Sequence, residues 1–239
     1  MAEDYLIDGL ESQSTTFLEA AKLNKDLRLF INAYEQFDLE KIQRELRTDE
    51  QKKSFWINSY NAFTLVLLKR NNGSYGNRTS FFRDKHFIIA ATPFSLDDIE
   101  HGILRRGKYK YSLGYFNKIW SPTWEKKLWV ENLDFRIHFA LNCGANSCPP
   151  IKFYSSAKIE AQLDLASAAY LKAEIEIDEK NYVIFLPAIF KWFAADFGNT
   201  SNILSILKKY KLISAEATPE IAYKNYDWEV TKNPFGQGD

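Results

Sequence analysis

The segment DFRIHFALNCGANSCPPI at residues 134–151 carries both cysteines of the chain, one of its three histidines, an arginine and a Pro-Pro stop. Up to Asn142 it alternates, with Phe135, Ile137, Phe139 and Leu141 on one side and Asp134, Arg136, His138, Ala140 and Asn142 on the other. A period of two predicts a strand. With its apolar side buried, such a strand presents Arg136, His138 and Asn142 together on the opposite face and ends in a turn at Cys143-Gly144. The segment is therefore one wall of a candidate site.

A second wall is predicted upstream. Thr48-Asp49-Glu50-Gln51 has the form of a capping box, so a helix starts there, runs through KKSFWINSYNAFTLVLLKR and stops at Asn71-Asn72-Gly73. On a wheel of about 100° per residue, Trp56, Tyr60, Phe63 and Leu67 fill one side and Phe55, Ile57, Leu65, Val66 and Leu68 most of the rest. A helix apolar nearly all round is a buried one. Asn58 and Asn61 fall inside that burial, where each needs hydrogen-bond partners. Either they tie loops to the helix or one of them orients a catalytic side chain.

The third wall is SLDDIEHGILRRG at residues 95–107. Ser95 is placed to cap a helix, Asp97 and Asp98 favour its positive end, Arg105 and Arg106 its negative end, and Gly107 stops it. Glu100 falls between Leu96 and Leu104 on the apolar arc, and a core-facing carboxylate needs a partner, for which Arg136 is the candidate. His101 lies at the edge of the same arc and can titrate near neutrality.

The remaining pattern is helix-rich. Residues 4–37 suit two amphipathic helices broken near Asn24, and a short helix over 38–47 follows. A short strand is expected through Phe87, Ile88 and Ile89, then irregular, Tyr-, Trp- and Lys-rich chain over 108–127 that covers the site. A helix follows over 155–171, then a hairpin over 174–186, a helix from Pro187 to Gly198, a helix over 203–210 and a last strand over 221–230. The fold class is thus α+β, a helix-rich single domain with a small, mostly antiparallel sheet packed on the buried central helix. Residues 1–47 form an N-terminal helical segment packed on the domain, 48–230 the core domain and 231–239 a tail.

Composition limits the function classes. Thirty-one basic residues balance 31 acidic ones, so no net field recruits nucleic acid or an anionic membrane, although local patches are possible. No apolar run approaches the roughly 18 residues of a membrane span. The N-terminus lacks the regions of a signal peptide, which implies the cytoplasm, or a secreted or periplasmic place if a signal was removed. No phosphate loop, G-x-S-x-G elbow or H-E-x-x-H helix occurs, and no cofactor or resident metal is implied.

The C-x4-C pair allows several chemistries. Cys148 or Cys143 can act as a thiol nucleophile with His138 as base, Glu100 and Arg136 as an orienting pair and Asn58 or Asn61 as polar support. Strand alternation turns His138 away from Cys143, which favours Cys148. The pair can instead form a disulfide, ligate zinc, the weakest option for want of a fourth ligand, or pack as inert thiols.

Four stretches together, FWINSYNAF at 55–63, SLDDIEHGILR at 95–105, RIHFALNCGANSCPPI at 136–151 and YDW at 226–228, resemble the domain of unknown function 547 family. The resemblance runs over roughly 48–228. It implies signature polar positions at Asn58, Asn61, Glu100, His101, Arg105, Arg136, His138, Cys143 and Cys148, and no settled activity. The expectation is a cysteine-dependent hydrolase or acyltransferase acting on a small molecule or peptide, with His101, Arg105 and Asn142 in binding roles. The alternative is a non-catalytic binding module whose buried polar network holds the fold and whose segment 108–129 binds a partner.

Overall fold

The computed structural model describes residues 9–236, so the start of the first expected helix and the end of the tail lie outside the described residues. Helix α1, Leu10–Lys22, and α2, Arg28–Glu35, are separated at Asn24, which takes a left-handed φ of 53°. A short α3, Leu39–Glu45, leads into α4, Asp49–Arg70. There Thr48 Oγ1 accepts from Gln51 N and Gln51 Oε1 from Thr48 N, the reciprocal cap expected from sequence. Phe55, Trp56, Ile57, Ala62 and Phe63 of α4 are fully buried. Each such aromatic is worth about 2–3 kcal/mol of burial. Phe17 meets Phe63 edge to face at 5.2 Å and Tyr34 stacks on Phe55 at 5.7 Å, which fixes α1 and α2 against α4.

After α5, Arg78–Arg83, strands β1, Phe87–Ile89, and β2, Thr92–Phe94, form an antiparallel pair. Helices α6, Thr123–Leu128, and α7, Ile159–Glu174, flank the 134–151 segment. Strands β3, Glu176–Asp178, and β4, Val183–Leu186, make the expected hairpin. Strand β5, Glu220–Tyr223, pairs parallel to β4, Val183 opposite Glu220. A parallel pair needs a crossover, here α8, Ile189–Trp192, α9, Ala194–Phe197, and α10, Thr200–Lys209. This three-stranded sheet and α7 bury a second apolar cluster around Phe139, Tyr170, Phe190 and Phe197. The chain is a helix-rich α+β single domain. Among the described residues no helix is long and apolar enough to cross a membrane.

The 134–142 segment is not a strand. Phe135–Phe139 is a 3-10 helix, because Asp134 Oδ1 accepts the Arg136 N–H at 3.0 Å and closes a turn that competes with any ladder. The tighter helix separates residues that a pleat would have aligned. Ile137, His138 and Phe139 are all buried, whereas Arg136 is only partly so. The last strand is also shorter than expected: the chain leaves the sheet after Tyr223 and then meets the cysteine loop through the Ala145–Val230 bridge and backbone bonds from Asn146 N to Glu229 O and from Thr231 N to Gly144 O, both 2.8 Å.

Candidate functional site

The expected helix after Ser95 is a π-helix, Asp98–Leu104. Ser95 caps it as foreseen, its Oγ accepting from Asp98 N at 3.1 Å while Asp98 Oδ2 accepts from Ser95 N at 2.7 Å. Gly102 permits the close approach of α6, since a Cβ there would lie 2.7 Å from Glu125 Oε2. A π-turn is wider than an α-turn and is frequent at functional sites. Here it brings Asp97, Glu100 and His101 to one cavity of about 370 Å³.

Glu100 does not pair with Arg136. Arg136 binds Asp134 through Nε at 2.9 Å and Nη2 at 2.7 Å and also reaches Glu160 and Asp164. Despite burial, the bonds from Arg136 and Lys53 hold the Asp134 carboxyl down to about 2. The turn at Asp134 keeps Arg136 with these partners and outside the cavity lining. Glu100 instead accepts one hydrogen bond, from Tyr60 Oη at 3.3 Å, and has no Lys or Arg within 4.0 Å among the described residues. Burial, opposed by the Arg105 charge and aided by Asp97, pushes its acid up to about 7. Burial also raises Asp97, against the pull of Lys110, which contacts both its oxygens at 2.8 and 3.0 Å.

His101 has a determined tautomer. Arg105 Nη1 lies 2.8 Å from His101 Nδ1, and a guanidinium only donates, so Nδ1 accepts and the ring proton sits on Nε2. Burial and the Arg105 charge lower its pKa well below the ordinary value, which keeps the ring neutral. Its Nε2–H meets Asp97 Oδ1 only at 3.6 Å, beyond a good hydrogen bond. The ring thus offers an underused donor to the cavity.

Arg105 is fully buried and binds Asp196 through Nε at 2.6 Å and Nη2 at 3.1 Å. Asp196 Oδ2 also accepts from His138 Nε2 at 2.8 Å, and the His138 ring stacks on Phe193 at 3.9 Å. Burial raises the Asp196 acid, but the bonds from His138 and Arg105 outweigh it and leave it lowered. His138 donates through Nε2, so its Nδ1 carries the lone pair; burial lowers its pKa against the pull of Asp196.

The two cysteines are joined in a disulfide, Cys143–Cys148, so neither sulfur is a free nucleophile here and neither is available to zinc. Tyr226 Oη contacts both, at 3.2 and 3.1 Å. The two helical asparagines brace the surrounding chain. Asn61 Oδ1 accepts from Asn142 N at 2.8 Å and its Nδ2 donates to Ala140 O at 3.0 Å. Asn142 in turn accepts from Gly144 N and donates to Pro149 O. Asn58 clamps one residue from both sides, accepting from Tyr154 N at 3.0 Å and donating to Tyr154 O at 2.8 Å.

Of the residues singled out from sequence, Glu100, His101, His138, Cys143 and Cys148 line the cavity, with Arg105 bonded directly to His101. Asn58, Asn61, Asn142 and Arg136 hold chain segments beside it. Sequence reasoning missed Asp196, Tyr60 and Tyr226 as site groups, together with Trp192 and Phe193, which line the cavity too. The signal for Asp196 was present: a lone carboxylate inside FKWFAADFG has no solvent-facing pattern to explain it.

A family model described as "Protein of unknown function, DUF547" matches residues 43–171. No curated protein and no solved structure matches the chain. The match takes in the π-helix and the cysteine loop but ends before Trp192, Asp196 and Tyr226.

Proposed function

The chain belongs to the family described as Protein of unknown function, DUF547, and because that membership assigns no activity, we propose from the cavity's chemistry that the protein is a hydrolase of small molecules bearing an apolar group. Glu100 is its acid–base and His101 its neutral electrophilic donor. The observation that carries this reading is Glu100: a mostly sheltered carboxyl in a cavity wall, paired with no Lys or Arg of the described residues and with its pKa pushed up to about 7. A group poised near the working pH is present in both forms and can take and return a proton. As a carboxylate it removes a proton from water as the oxygen attacks the acyl carbon. The developing oxyanion accepts from His101 Nε2–H, whose ring the Arg105 bond to Nδ1 orients. On collapse, Glu100 returns the proton to the leaving group. Trp192, Phe193 and Trp228 supply an apolar surface for the remainder of the substrate. A bonded cysteine pair suits an oxidising compartment better than the cytoplasm.

A cysteine-dependent hydrolase or acyltransferase is the second reading, favoured by the 2.8 Å bond between His138 and Asp196, the base–orienter half of a triad. It requires an external dithiol that supplies two electrons and two protons to the disulfide. A freed Cys148 or Cys143 thiol would then give its proton to His138, attack the acyl carbon and carry the acyl group as a thioester until water or another acceptor removes it. Turnover of aryl esters and anilides, with and without dithiothreitol, separates the two. Turnover by the oxidised protein that falls about a hundredfold or more in Glu100→Gln but survives in a Cys143→Ser/Cys148→Ser variant supports the first reading. Turnover that needs dithiothreitol and vanishes in the double serine variant assigns the thiol. Binding of these compounds without turnover in either state sinks both and leaves a non-catalytic binding module.

A further inference from the structure

Between Arg106 and Lys127 the chain has six cations and a single carboxylate, Glu125, which is buried and bound to Lys118 at 2.9 Å. Lys110 is held by Asp97, but Arg106, Lys108, Lys126 and Lys127 form no ion pair with a described residue. Interleaved with these charges is the largest run of exposed aromatic and aliphatic surface in the described chain. Ile119 is wholly exposed, and Trp120, Phe116, Tyr111 and Tyr115 are 75%, 72%, 67% and 61% exposed. Single exposed apolar residues need no explanation, but a contiguous set marks an interaction surface.

This exposure is built into an ordered hairpin. Tyr109 N donates to Phe116 O at 2.9 Å and Lys118 N to Gly107 O at 2.7 Å, which closes its base. Its tip is pinned where Ala195 N donates to Leu113 O at 3.0 Å. Gly114, at φ +86°, sits so close to Asp196 and Arg105 that a Cβ would lie 2.6 Å from Asp196 Oδ1. The hairpin is therefore anchored on the buried ion pair and holds its aromatic side chains outward.

We infer that this hairpin, with the neighbouring α6 lysines, docks on an anionic lipid bilayer and seats the cavity at the membrane surface. Trp and Tyr favour the headgroup region, where an amphipathic ring meets both water and hydrocarbon, and Lys stems lie along apolar surface while their charges reach lipid phosphates. Protein–protein interfaces, in contrast, are depleted in Lys, which is the commonest charge of this patch. Lys110, Tyr111 and Leu113 belong both to the hairpin and to the cavity wall, so a docked molecule would open toward the lipid. The inference holds whichever reaction, if any, the cavity performs.

Co-sedimentation of the full chain with vesicles of phosphatidylcholine alone, and of an equal mixture of phosphatidylcholine and phosphatidylglycerol, tests it. The chain should partition onto the mixed vesicles and weaken with added salt. Lys126→Glu/Lys127→Glu should weaken partitioning by at least about 25-fold, from roughly fivefold per surface cation. Ile119→Ser/Trp120→Ser changes only exposed side chains, so it should fold normally and lose partitioning. Failure to bind either vesicle, or binding that neither variant alters, overturns the inference. So does a solution dimer, seen by light scattering, that Ile119→Ser/Trp120→Ser converts to monomer, since the patch is then a protein interface.

Discussion

Replacing Glu100 by Gln should make the protein more stable at alkaline pH and no more stable at acid pH. In the unfolded chain this carboxyl ionises near 4.5, whereas in the folded protein it ionises at about 7. Between those values the unfolded chain releases the proton and the folded protein keeps it. Stability from this group is therefore complete below pH 4.5 and lost as pH rises through 7. At about 1.4 kcal/mol per tenfold change in acidity, the loss is about 3 kcal/mol. Glutamine is an uncharged isostere of the protonated acid and escapes the loss. Arg105, Asp97 and Lys110 enter this difference through the Glu100 value itself, while Asp134 and Asp196, whose lowered pKa values give stability above their unfolded values that is lost only in acid, are common to both proteins. Urea denaturation followed by tryptophan fluorescence should show the variant no more stable than wild type at pH 4.5 and gaining about 3 kcal/mol on it by pH 8. The Glu100–Arg136 pair expected from sequence has the opposite consequence, because removing one partner would strand a charge. A difference that stays flat over this range refutes the description of Glu100 as an unpaired buried acid.

Asp196→Asn should cost about 3–5 kcal/mol by leaving the fully buried Arg105 without its counter-charge; a denaturation midpoint near wild type contradicts the bidentate pair. Asn58→Ala should cost about 2–3 kcal/mol, because the buried backbone N–H and C=O of Tyr154 both lose their partner, and a loss under about 0.5 kcal/mol would show that water replaces the amide. Gly114→Ala should lift the hairpin from Asp196, seen as faster hydrogen exchange at Tyr109 and Lys118, whose amides close its base; unchanged exchange would mean the tip tolerates a Cβ.

The elements that the sequence specified locally were legible. The Thr48–Gln51 cap, the break at Asn24 and the hairpin before Pro187 rest on side chains that act within a few residues, and each is found where expected. The 134–142 segment was misread because alternation is a statement about burial, and a 3-10 turn capped by Asp134 buries Ile137 and Phe139 equally well. The wheel placed Glu100 against the core, but a 3.6-residue period does not describe a π-turn, so its neighbours in space were wrong. Asp196 and Tyr226 were hidden for another reason. They join the site through tertiary contacts, 91 residues from Arg105 and 83 from Cys143, so even the lone carboxylate of FKWFAADFG could mark Asp196 as unusual without naming its partners.

That separation sets an order of events. Tyr226 covers two sulfurs that precede it by 83 and 78 residues. A chain made from its N-terminus at about 5–20 residues per second leaves the cysteine loop uncovered for on the order of ten seconds before the phenol exists. Thiol oxidation and reshuffling begin on that scale. The state of Cys143 and Cys148 is thus open to the oxidants and reductants of the compartment before the cavity is assembled. Tyr226 then closes over one side of whichever state they have reached, and because both sulfurs still line the cavity, a dithiol can revisit that state in the finished protein.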